Sequence, residues 1–261
     1  MADSSRGDRT ATEGAKDDLR LPGILTRAIL VAAVLGAVFF EAAYFLGWFA
    51  DDSALRGTLF NSLYAFDLSV ILASSGSLFL AFWKTKRPAF LLSSVALFSW
   101  FLGAFFFVSY VFLLKRILIY PSVAEFAFQG FHLLMIVVLY EDLLRHGRAL
   151  VKPVAAVIPV ITLMPVASLL HNEIPLNNLL YSTFFMFLIS VTVFLVVNLL
   201  VQRRLLLVCA GLAAVVFADM AFVETSLVKS GFVFSLDPVW FTGFALTAFG
   251  IVFAVRRGEM G

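Results

Sequence analysis

Eight stretches of this chain are apolar enough, and long enough, to leave it a single kind of environment. They run at 25–49, 59–83, 89–114, 121–143, 150–171, 176–201, 204–227 and 236–255. A hydrocarbon core of about 30 Å is crossed by about 20 residues of helix, and each stretch reaches that length. Hydrophobic residues make up 62% of the chain and mean hydropathy is +0.99, which excludes a soluble globular protein. The expected fold is all-α, a polytopic membrane helix bundle of about eight transmembrane helices. Any site must then lie within the bundle or on its short loops.

Charge placement predicts the orientation. Of 19 Lys and Arg, 15 fall on one side of the eight-span arrangement, among them Arg20, Arg27, Lys84, Lys86, Arg87, Arg145, Arg203, Arg204, Arg256 and Arg257. Arg56, Lys115, Arg116 and Lys229 fall on the other. Excess basic residues mark cytoplasmic loops, so both termini are expected in the cytoplasm, in a prokaryotic cell membrane. Residues 1–22, rich in Asp, Ser, Arg, Gly and Thr, read as a disordered cytoplasmic tail, with no cleaved signal peptide expected. Cys209 is the one cysteine, so an intrachain disulfide or cysteine-based metal site is excluded.

The second half repeats the punctuation of the first. Asn61 and Tyr64 open one span, and Asn178 and Tyr181 open another 117 positions later; Arg87 and Arg204 close them at the same offset. Phe107-Val108 matches Phe222-Val223, Gly130-Phe131 matches Gly243-Phe244, and VAAV occurs at Val31 and Val154. The pattern predicts two four-helix units, 23–148 and 149–261. With four spans per unit both keep one orientation, a 4+4 parallel repeat about an axis along the membrane normal.

Ionisable groups inside spans are costly and face the interior, which makes each a candidate. Glu41, Asp67, Glu125, His132, Asp219, Glu224 and Asp237 all map to the outer half, predicting a polar cavity that opens outward. Glu125, Gln129 and His132 share a helix face at i, i+4 and i+7, and Asn61, Tyr64 and Asp67 share a broad face of the second span. The candidate ligand-binding set is Glu41, Tyr64, Asp67, Glu125, Gln129, His132, Asp219 and Glu224. Glu41, Asp67 and Asp219 are expected to lie near one another or near His132. No catalytic residue, cofactor or metal site is expected. Paired haem ligation fails because His132 alone of three histidines lies in the interior of a span, His171 standing at the very end of one, and the last span has no Lys for a retinal Schiff base. Pro159 and Pro165 are expected to kink the fifth span.

VFADMAFVE followed by LDPVWFTGFALTAFG resembles the closing helices of the multi-span input modules that precede bacterial diguanylate cyclase and phosphodiesterase domains. PSVAEFAFQGF resembles the equivalent helix of an earlier repeat there, with Glu125 where Asp is usual. The resemblance implies a non-enzymatic sensory or ligand-binding module, or an accessory subunit, in contact with membrane lipid and signalling through a separate protein partner; no nucleic-acid partner is implied. Phe-Ala-Asp-Met around Asp219 and Phe131-His132 also resemble lysoplasmalogenase-like eight-span hydrolases, although Gly103-Ala104 replaces their Gly-Asp. The alternatives are thus a proton-coupled small-molecule transporter using Glu41, Asp67 and Asp219, and a lipid-directed hydrolase using Asp219 and His132.

Overall fold

A computed structural model of the chain describes residues 18–46, 53–110, 114, 122–146, 157–163, 176–228 and 236–260, with the side chains of 53–56, 157, 177–178 and 223–228 excluded. It contains eight helices and no strand among the described residues. They are α1 (Arg20–Phe45), α2 (Ser53–Thr85), α3 (Pro88–Val108), α4 (Val123–Arg145), α5 (Val157–Thr162), α6 (Leu176–Val201), α7 (Leu206–Val228) and α8 (Asp237–Arg256). Six are long and apolar enough to cross a membrane, and Leu206–Phe222 of α7 is a shorter apolar helix. The chain is an all-α integral membrane bundle.

Helix starts differ from the apolar runs because polar residues join the helix ends. α1 begins at Arg20, and Leu19 and Pro22, within the expected tail, are buried. Pro88 opens α3 and Pro238 opens α8, where the missing amide hydrogen costs no helical bond. Of the fifth span only α5 and Leu163 are described; Pro159 lies in it and Pro165 lies outside the described residues.

α2 packs on α3, α3 on α4, α4 on α6, α6 on α7 and α7 on α8, while α8 returns to α1 and α2 and so closes the ring. α5 lies against α6. Small residues permit the closest approaches, as lipid-embedded helices require. A Cβ on Gly211 would stand 2.7 Å from the Gly243 carbonyl oxygen, and one on Gly103 2.9 Å from that of Ala124. Between α2 and α3, Ser75 and Ser94 exchange hydroxyl-to-carbonyl bonds, each of 2.9 Å.

One end of the bundle gathers arginines. Arg204 grips Asp142 with Nε 3.2 Å from Oδ2 and Nη2 3.0 Å from both carboxylate oxygens. Asp142 is 3% exposed, a buried acid at the basic end of the bundle. Arg204 also donates to the Glu259 carbonyl, and Arg87 Nη1 donates to the Met260 carbonyl at 3.2 Å. Gly258, at φ 71°, turns the chain after α8 so that Met260 becomes buried beneath the helices.

Candidate functional site

A fully buried polar group joins α4 to α7. His132 Nε2 lies 2.9 Å from Asp219 Oδ2, with the residues 0% and 1% exposed. The indole N–H of Trp240 on α8 donates to Asp219 Oδ1 at 2.8 Å, so both carboxyl oxygens are engaged. On the other side of the imidazole, Thr192 Oγ1 of α6 lies 3.3 Å from His132 Nδ1. Four helices thereby meet at one polar knot.

The proton inventory follows from these partners. The Thr192 hydroxyl donates to the Leu188 carbonyl at 3.0 Å, leaving its oxygen to accept from Nδ1–H. Nε2 and Oδ2 then hold a single proton between them, as imidazolium with carboxylate or as imidazole with carboxylic acid. Both states satisfy every partner, which a buried polar group in a low-dielectric interior needs. The rings of Phe131 and Phe185 stand edge-on to the imidazole at 5.2 and 5.5 Å, and Trp100 at 6.3 Å. Trp100 also lies 6.0 Å from Trp240, completing an aromatic enclosure. The pair is therefore enclosed by side chains among the described residues.

A second carboxyl group lies where α2 meets α8. Asp67 and Asp237 are 5% and 7% exposed. The charge of Asp237 bears on both Asp67 and Tyr64. Phe66 and Phe241, next to these acids along their helices, touch edge-to-face at 5.2 Å.

The expected set is thus divided. Asp219 joins His132, and Asp67 joins Tyr64 and Asp237. Glu41 is half-buried on α1 and is not among the bonded partners of His132 and Asp219 described above. Glu125 completes a capping box at the start of α4, accepting from the backbone N–H and hydroxyl of Ser122. Gln129 is buried on α4, one turn before His132. The side chain of Glu224 lies outside the described residues. Sequence reasoning missed Thr192 and Trp240 as partners of the pair. Trp240 stood in the Asp-Pro-Val-Trp run of the last span, whereas nothing marked Thr192 among the other spanning hydroxyl residues. Among the described residues no group of three His, Cys, Asp or Glu side chains could hold a metal ion.

No family model, curated protein or solved structure matches this chain.

Proposed function

We propose that the protein is a non-enzymatic membrane sensory or ligand-binding module, or an accessory subunit, that acts through a partner protein. It is built from two parallel four-helix units, 23–148 and 149–261, with both termini cytoplasmic. The observation that carries this reading is the enclosed His132–Asp219 pair. It ties α4 of the first unit to α7 of the second, and it can hold its proton on either side. A buried ionisable pair between two packed bodies suits a module that changes their relative packing, since charged residues in spans mark relays and switches.

The duplication draws support from helix adjacency. Exchanging α1–α4 for α5–α8 carries the contacts α1–α2, α2–α3 and α3–α4 onto α5–α6, α6–α7 and α7–α8, and carries α2–α8 onto α6–α4. Lys86 (φ 56°) and Arg203 (φ 54°), 117 positions apart, both adopt the left-handed backbone that turns one helix into the next. The gathering of arginines at one end supports the cytoplasmic assignment of that end.

The hydrolase alternative has its two residues side by side, with a Thr192 hydroxyl beside them. Three features weigh against it. The hydroxyl is committed to a carbonyl, the imidazole is shut from water, and helical backbone offers few unpaired N–H groups for an oxyanion. The transporter alternative would need a path through the aromatic enclosure.

Purified protein in lipid vesicles tests the reading. The expected result is neither lipid hydrolysis nor substrate-driven proton flux, together with stoichiometric recovery of one protein from gently solubilised membranes. That recovery should weaken in Asp219→Asn. Flux or hydrolysis abolished by Asp219→Asn would replace the proposal by the corresponding alternative.

A further inference from the structure

Resting on the ligand-binding reading above, we propose that Asp67 and Asp237 form an intramembrane site for one small monovalent cation, a sodium ion or a proton, where α2 meets α8. Both carboxyl groups are more than nine-tenths buried, and Asp67 Oδ1 has no hydrogen-bond partner among the described residues. Neither acid forms an ion pair with a basic side chain among those residues. Tyr64, one turn before Asp67 on α2, brings a hydroxyl into the same electrostatic neighbourhood.

The surroundings favour a shared positive charge wherever both acids are ionised. Phe241 and Ala245 follow Asp237 at i+4 and i+8 on one stripe of α8, and they pack in an apolar cluster with Phe60, Leu63 and Val70 of α2 and Ala33 and Phe40 of α1. Two carboxylates beside such a cluster repel one another with little screening, and each has lost its hydration. One positive charge shared between them relieves both costs.

The charge and the donor set select the occupant. Calcium asks for about six to eight oxygen ligands, and no third acid joins this pair among the described residues. Two carboxylates and one phenol suit a single positive charge. Among the described side chains, the other ionisable groups toward this end of the helices packed on α2 and α8 are Glu41 and Tyr44 on α1 and Asp219 on α7, the last already bonded to Trp240 and His132. The side chain of Glu224 on α7 lies outside the described residues. The side chain of Arg56, at the start of α2, lies outside the described residues.

Full-length protein in lipid nanodiscs is titrated with sodium chloride, choline chloride holding ionic strength constant, at pH 8 and pH 5.5. Tm and retention of radioactive sodium are followed. Sodium at pH 8 should raise Tm by about 3 °C for each tenfold increase beyond Kd. The effect should shrink at pH 5.5, where protons compete, and vanish in Asp67→Asn and Asp237→Asn but persist in Glu141→Gln, which alters an exposed acid paired with Arg145 on α4. A Tm that ignores sodium, yet depends on pH in a way both Asn variants lose, identifies the proton as the occupant. If an Asn variant does not fold, acid-displaceable sodium retention by the wild type decides. A wild type indifferent to sodium and to pH, or a response kept by both Asn variants, overturns the site. Failure here leaves partner recovery unchanged, so it is distinguishable from failure of the sensory reading.

Discussion

Arg87 and Arg204, 117 positions apart in the chain, each donate to a backbone carbonyl of the same short segment, Arg87 to Met260 and Arg204 to Glu259. Each follows a residue with positive φ at the turn between consecutive helices. Two turns of equal construction thus hold the segment after α8 against the bundle from two sides. The proposed duplication accounts for that equivalence, because a copied turn brings its arginine to a related position. The two turns differ in one respect: Arg204 has Asp142 as a bidentate partner, whereas Arg87 donates to the Met260 carbonyl.

That difference sets an order of sensitivity. Arg204→Lys removes the two-pronged match to Asp142, which a point charge on a flexible stem does not reproduce. It should cost about 1–3 kcal/mol, the range for bonds to charged groups that leave a buried acceptor poorly matched. Arg87→Lys should cost less. Unfolding titrations of both variants in mixed micelles measure the order, and a larger loss for Arg87→Lys would contradict it.

Glycine positions separate close helix approach from mere helix content. A Cβ on Gly211 would collide with Thr247 Oγ1 and stand 2.6 Å from the Thr247 backbone nitrogen, whereas nothing lies within 4 Å of one on Gly76. Gly211→Ala should therefore destabilise by about 1–3 kcal/mol through overpacking. Gly76→Ala should stabilise by up to about 1 kcal/mol through helix propensity. Thermal unfolding of the two variants should show opposite signs.

Trp240→Phe isolates one donor of the knot. The ring remains to pack against Trp100 and Phe222, but Asp219 Oδ1 loses its N–H partner. The expected cost is about 0.5–1.5 kcal/mol, read from denaturant unfolding. A Trp240→Phe variant as stable as the wild type would remove the indole from the account of the pair.

Much of the bundle was legible because a helix that crosses hydrocarbon must be apolar for about 20 residues. Its ends were not, since Leu19 and Pro22 pack by contacts that the apolar run at 25–49 does not encode. His132 and Asp219 were legible singly, as ionisable residues within apolar spans. Their pairing was not, because it depends on the depth and rotation at which α4 faces α7, which packing sets. Glu125 carried a readable signal that pointed elsewhere: Ser122-Val-Ala-Glu125 is the spacing of a capping box. The grip of Arg204 on Asp142 was not legible, because an acid at the end of the 121–143 run is as compatible with water contact as with burial, and packing alone makes it 3% exposed.

The central claim is that His132 and Asp219 act as one unit across the α4–α7 contact. A double-mutant cycle in lipid bilayers tests it, with His132→Ala, Asp219→Ala and the double variant measured for unfolding free energy. The account predicts a coupling of about 0.6–1.7 kcal/mol, the range for hydrogen-bonded pairs between membrane helices, with the double variant costing less than the two single losses added together. Additive losses would mean that the two side chains do not interact in the folded protein, contradicting the geometry on which the proposed function rests.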